Sequence, residues 1–284
     1  MPDCVALIAA SQLITGARCI HTDFDVDADA IRAESPDRIV YALVRGLAPG
    51  VASPVAIFGA DISNELKRAW LRGPFVTGEG DFATNASLAF DALLAHAGAR
   101  VDKWDAFTET SHQRALDWYA AQGFKPLKRH SIYIVAREEA RFNPVPDAMP
   151  PPESMLDAVV ELASHALPGG YLTRDDFAAP GDEAITLVLC DGNDLLGYVY
   201  ASHEHGATEA YVDNLAVAEH ARRRGVGRQL LIAALHWAFV ARGAPQVGLT
   251  VKDGNANAAR LYESVGFRLL AEGQHLRRSA AGAA

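Results

Sequence analysis

Tyr211-Val-Asp213-Asn-Leu215-Ala216-Val217 is followed by Ala218-Glu-His-Ala-Arg222-Arg223-Arg224-Gly225-Val226-Gly227-Arg228. The first seven residues read as a strand. From Val226 to Ala241, apolar residues recur at 226, 230, 231, 234, 235, 238 and 241, which is helical spacing. The loop between them holds four arginines and two glycines. Glycine has no Cβ, so its backbone can come close to a ligand. A helix starting near Val226 turns its free N–H groups and positive dipole end toward the same place. Cations at a helix N-terminus are unfavourable unless an anion joins them. The pattern therefore predicts an anion cradle suited to a pyrophosphate. It matches neither the P-loop nor the glycine-rich dinucleotide pattern.

Outward from this loop, Ala184–Leu189 and Leu195–Ser202 flank the turn residues Asp191-Gly-Asn-Asp194 and form a hairpin. Pro245–Val251 is a further strand. Asn255–Val265 is a short helix stopped by Gly266. Strand, loop, helix and strand give one parallel βαβ unit after an antiparallel start, so the expected fold class is α/β with a mixed sheet.

The chain has 284 residues, enough for about two domains. Asn143 to Glu153 contains five prolines and is expected to be a linker. The halves it separates are related. At an offset of 143, Asp105–Phe124 falls on Gly248–Phe267 without a gap, so that Tyr119 meets Tyr262 and the Gly-Phe pairs coincide. Duplication is the reading. The expected division is a domain at 1–142, the linker at 143–153 and a second domain at 154–284.

Net charge is −9, which disfavours nucleic acid as a partner. Residues 144–284 carry 11 Lys+Arg against 17 Asp+Glu, and four of those cations are in the one loop. An anionic co-substrate suits the loop, and a cationic amine suits the acidic remainder. No apolar run approaches the length of a membrane span. Val5–Ile14 lacks a basic flank, so a cytoplasmic protein without a signal peptide is expected. Cys4, Cys19 and Cys190 are odd in number and lack metal-ligand spacing, so reduced thiols are expected.

Arg222-Arg-Arg-Gly225-Val-Gly227 matches the Gln/Arg-x-x-Gly-x-Gly/Ala signature of the GNAT acetyltransferases. Asn214–Val217 resembles that family's fourth strand. Asn255, Leu261-Tyr262 and Gly266-Phe267 resemble its second conserved block. The resemblance covers most of residues 154–270. It implies tandem GNAT-like domains, each a mixed, mostly antiparallel sheet flanked by helices. It also implies acetyl-CoA as co-substrate, with its pyrophosphate on the backbone of Arg222, Arg223, Arg224, Gly225, Val226, Gly227 and Arg228. The pantetheine arm would lie along Leu215, Ala216 and Val217, in a gap where the fourth and fifth strands splay. Tyr262 is implied as the acid for the leaving thiolate and Asn255 as a cofactor-binding side chain, which can equally cap its helix.

Some family members place a Glu base on the fifth strand. Thr250 stands there and cannot serve. Asp213 is the nearest replacement, directly or through a water, with Glu209 and His203 behind it. The expected activity is acetyl transfer to a primary amine, of a small molecule in the first instance, by direct attack in a ternary complex. The alternatives are a non-catalytic acyl-CoA sensor or scaffold and, more remotely, a structural tandem protein. The oligomeric state is open, a homodimer being one option.

Carried without a gap, the 143 offset puts Glu79, Gly80, Asp81 and Phe82 on Arg222, Arg223, Arg224 and Gly225. The first half is thus expected to be a degenerate copy that no longer binds acetyl-CoA and serves as scaffold or acceptor-site wall. Asp23 to Glu34 imitates a calcium loop, but Ala28 stands where the turn needs glycine. His203 and His205 could pair on a metal but lack a third ligand. No metal is expected. Trp104 and Trp118 are assigned to the core or to a domain contact.

Overall fold

A computed structural model describes residues 7–8, 19, 39–45, 54–77, 81–143, 146–168, 172–205, 207–252 and 254–279. In chain order the elements are β1 (Ile39–Arg45), β2 (Pro54–Ser63), β3 (Arg68–Val76), α1 (Phe82–Ala97), β4 (Lys103–Glu109), α2 (Gln113–Ala121) and β5 (Lys125–Ala136). There follow α3 (Leu156–Ala166), α4 (Arg174–Ala178), β6 (Ala184–Asp191), β7 (Asp194–Ser202), β8 (Glu209–Val217), α5 (Val226–His236), β9 (Gln246–Lys252), α6 (Ala256–Ser264) and β10 (Arg268–Ser279). Helix α5 runs on through a π turn at Trp237–Ala241.

The chain forms two units, and they are not the two sequence halves. Unit 1 is residues 1–130 with 271–284, and unit 2 is residues 131–270. The expected boundary at 143–153 is therefore corrected. The proline-rich segment lies inside unit 2, where Met149 exchanges both backbone hydrogen bonds with Val188 of β6, at 3.1 and 2.8 Å. Prolines exclude a helix or a central strand, but a non-proline residue between them can still bridge to a sheet edge.

Unit 1 orders its strands β1-β2-β3-β4-β10. β1, β2 and β3 pair antiparallel, β3 and β4 parallel, and β4 and β10 antiparallel. Unit 2 orders its strands β5-β9-β8-β7-β6 and repeats the scheme, antiparallel through β6, β7 and β8 and parallel between β8 and β9. Each is a mixed, mostly antiparallel sheet flanked by helices. The fifth strand of each unit comes from the end of the other sequence half.

The alternation of the strands separates two faces in each unit. In unit 2, Val199, Ala210, Val212, Val247 and Leu249 pack under α5 with Leu230, Leu231 and Leu235. The opposite face buries Val188, Tyr198, Tyr200 and Ala216 under Leu156 and Val159 of α3 and Phe177 of α4. In unit 1, Phe58, Phe90, Trp104, Trp118 and Tyr119 form the core with α1 and α2, so both tryptophans are core residues.

The repeat is visible element by element. β4 and α2 coincide with β9 and α6 at both ends at an offset of 143. β3 coincides with β8 at an offset of 141. The loop from strand to helix is 77–81 in unit 1 and 218–225 in unit 2. The ungapped comparison across this loop is therefore corrected. The helix cap Asp81 is the counterpart of Gly225, because loop length varies where element length does not.

Candidate active site

Two features open unit 2 at the middle of its sheet. β8 and β9 pair from Glu209↔Gln246 to Val212↔Leu249, and among the described residues the pairing stops there. Opposite β7, Tyr200 pairs with Asn214 and Ala201 with Val212, which leaves Asp213 as a bulge. A bulge bends its strand and increases the twist. β8 thus leaves β9 at Asp213, and the main chain of Leu215, Ala216 and Val217 faces an opening on the β9 side. The expected splay is present.

Helix α5 begins beside that opening. Gly225 caps it at φ +81°, with no side-chain cap and no acidic residue in the first turn. Arg222, Arg223, Arg224 and Arg228 are all exposed around it. Arg223 adopts φ +62°, a left-handed conformation that costs a side-chain-bearing residue about 1–2 kcal/mol. The Nε of Arg222 donates to the Val217 carbonyl at 3.4 Å, tying the loop to the strand end.

Within the protein itself the two glycines do different jobs. A Cβ on Gly225 would meet nothing within 4 Å, so its need is the positive φ. A Cβ on Gly227 would lie 3.3 Å from Leu261, 3.4 Å from Val217 and 3.8 Å from Leu215. Gly227 lets the first turn of α5 settle against β8 and α6. Val226 is buried in the same core.

Asn255 caps α6, its Oδ1 accepting from the Ala258 N–H at 3.1 Å. Tyr262, one turn from the end of α6, packs against Tyr133 and Phe267 with ring centroids 5.6 and 6.1 Å away. Its hydroxyl makes no hydrogen bond to a described residue. Burial, reinforced by the neighbouring Tyr133, pushes its pKa up to about 12. It therefore carries its proton throughout the physiological range.

Asp213 lies on the other face from Tyr262, toward α3 and α4. The Ser202 hydroxyl donates to its Oδ2 at 2.8 Å. The Tyr200 pKa is raised by burial and by the charges of Asp213 and Asp176. Glu209, Tyr211 and Thr250 share this face by alternation. Glu209 turns over Gly248, whose missing Cβ leaves room for the carboxylate, and accepts from Gln246 Nε2 at 3.2 Å. The hydroxyls of Tyr211 and Thr250 touch each other. Two carboxylates and four hydroxyls thus line a face next to the opening. His203 is engaged elsewhere, with Nε2 against the Ala207 carbonyl at 2.9 Å. The acidic stretch Asp23 to Glu34 lies outside the described residues. No described helix is long and apolar enough to cross a membrane.

The comparisons with known proteins agree with this geometry. Residues 156–267 match the family model described as the acetyltransferase (GNAT) family. No curated protein matches the sequence. Among solved structures, a GCN5-related N-acetyltransferase from Sphaerobacter thermophilus is similar at 18% identity and a TM-score of 0.68, over 98% of this chain and 92% of that one. A tandem GNAT protein from the clavulanic acid biosynthesis pathway gives 14% identity and a TM-score of 0.64, over 99% and 95%. A GCN5-related N-acetyltransferase from Kribbella flavida gives 15% and 0.61, over 97% and 96%. At these identities the likeness is one of fold, and it extends over nearly the whole chain.

Proposed function

We propose that unit 2 is an N-acetyltransferase that moves the acetyl group of acetyl-CoA to a primary amine of a small molecule by direct attack in a ternary complex. The observation that carries this reading is the coincidence of three features at one place. The β8 edge opens at Asp213, the uncapped N-terminus of α5 stands beside it with four arginines, and Tyr262 keeps its proton with no hydrogen bond to a described residue.

Backbone N–H groups at the start of α5 would hold the pyrophosphate, with Arg222, Arg223, Arg224 and Arg228 supplying countercharge. The main chain of Leu215 to Val217 would hold the pantetheine amides, and Asn255 fixes the adjacent helix end. An amine attacks only when neutral. Asp213 would take its proton, directly or through a water, while Ser202 orients the carboxylate. Tyr262 would give its proton to the departing thiolate. The acidic face with Glu209 and Asp213 favours an amine over an anionic acceptor.

Calorimetric titration of the full chain with acetyl-CoA tests the cradle. One site is expected, lost in Gly225→Glu. Thiol release from acetyl-CoA is then followed with a panel of primary amines. Absence of binding ends this reading. Binding without amine-dependent release would replace it with that of an acyl-CoA sensor.

A further inference from the structure

Unit 1 keeps the splay but not its openness. Parallel pairing of β3 with β4 ends at Trp70↔Asp105 among the described residues. Opposite β2, Ile57 pairs with Phe75 and Gly59 with Arg72, so Gly73 and Pro74 form a bulge in the same part of the strand as Asp213 in unit 2. The strands separate there for the same reason as β8 and β9.

Two side chains of unit 1 enter the separation, one from each face. Tyr119, the counterpart of Tyr262, comes from α2 and donates its hydroxyl to the Gly73 carbonyl at 2.7 Å. Cys19 packs with Ile8, Ile57 and Phe75 on the opposite side. Its Sγ lies 3.6 Å from the Pro74 carbonyl on β3 and 3.8 Å from Thr108 Oγ1 on β4, so it touches both strands. Tyr119 is 0% exposed and Cys19 2%. The carbonyls they meet belong to the bulge of β3, the strand equivalent to β8. Burial pushes the Cys19 thiol up to about 12. The chain itself thus supplies a thiol and a tyrosine hydroxyl to the bulge of β3 in unit 1.

We propose that Cys19 and Tyr119 form an internal plug that closes the acyl-CoA slot of unit 1, with the Cys19 thiol in the place where unit 2 takes the thiol of its co-substrate. This rests on reading the β8–β9 opening as the slot of unit 2. Unit 1 then fails to bind acetyl-CoA for two separate reasons, a cradle replaced by Asp81 and a slot filled from within.

The test uses the full chain. N-ethylmaleimide labelling of Cys19, read by peptide mass mapping, should run at least about 100-fold slower in the folded protein than in urea, because reagent reaches it only through local opening. Acetyl-CoA should leave that rate unchanged. Native mass spectrometry should find one acetyl-CoA per wild-type chain and none on Gly225→Glu. Labelling at the urea rate, protection of Cys19 by acetyl-CoA, or a second acetyl-CoA on the wild-type chain would each overturn the plug. Wild-type chain without bound acetyl-CoA would overturn the reading of unit 2, whereas slow Cys19 labelling in that same protein would still uphold closure of unit 1.

Discussion

Helices α1 and α5 start at equivalent points of the two units, and their first turns are finished in opposite ways. In unit 1 the carboxylate of Asp81 accepts from the Thr84 N–H at 2.8 Å and from its hydroxyl at 2.6 Å, and these bonds hold Asp81 below the usual carboxylate range. The helix N-terminus has its anion built in. In unit 2 Gly225 offers no side chain and the neighbours are arginines, so on the proposed reading the anion comes from outside. The tyrosines repeat the contrast, Tyr119 tied to a strand carbonyl and Tyr262 without a hydrogen bond to a described residue. One copy of the fold satisfies its own polar groups, and the other would leave them for the proposed co-substrate.

The same contrast holds across the parallel strand pair, where the largest effect is expected. Asp105 of β4 is 1% exposed and is met by Arg68 at 2.6 Å, His275 at 2.5 Å and Arg277 at 2.8 Å. Burial alone would raise its pKa. The hydrogen bonds from His275, Arg68 and Arg277 outweigh burial and hold it well below the usual range. Its counterpart in unit 2 is Gly248, which only makes room for Glu209. Breaking a buried ion pair costs about 3–5 kcal/mol, so Asp105→Ala should destabilise unit 1 by that order. Urea unfolding read by tryptophan fluorescence, with three of the four tryptophans in unit 1, measures it. The Asp105 contribution is present above its unfolded pKa of about 3.9 and fades as pH falls below that value. Wild type should therefore lose more stability than Asp105→Asn on going from neutral pH to below pH 4.

Next come the paired tyrosines. Tyr262→Phe should lower kcat by about 100-fold, the lower end for a general acid, with the KM for acetyl-CoA little changed. With the wild-type acid protonated up to about pH 12, kcat/KM should rise with pH as the amine deprotonates and show no falling limb below that value. Tyr119→Phe should leave kcat unchanged and cost about 1–2 kcal/mol of unit 1 stability, since it strands the buried Gly73 carbonyl. If Tyr119→Phe lowered kcat as much as Tyr262→Phe, the division of labour between the units would be wrong.

Local pattern carried much of this architecture. The strands and helices from Ala184 to Gly266 follow from periodicity and turn residues, and the helix–Gly-Phe endings disclose the repeat. Three things were hidden. The bulge at Asp213 depends on register between neighbouring strands, which one strand's sequence does not state. The Asp105–His275 contact joins residues 170 positions apart. The ownership of β5 and β10 was unreadable because both follow a short helix and a Gly-Phe turn with the same local signals. For the proposed site, the arginine loop and Tyr262 are the parts that the sequence brings forward. The separate duties of Gly225 and Gly227 were not, since only the packing of Leu261 against α5 distinguishes them.

Those duties give the smallest and most selective prediction. Gly225→Ala adds a methyl that meets nothing within 4 Å, so its cost is conformational, about 1 kcal/mol for a left-handed position. A strain of that size predicts a fall in acetyl-CoA affinity of less than about tenfold. Gly225→Glu suffers the same strain and also brings a carboxylate to the place of the expected pyrophosphate. Any loss beyond the alanine variant therefore measures charge and bulk at the cradle. Asp81→Ala is the counterpart in unit 1. It removes a helix cap, should lower the unfolding midpoint of that unit, and should leave acetyl-CoA titration unaltered. Equal losses for Ala and Glu at position 225 would mean that the glycine serves only its own backbone and that no anion is bound there.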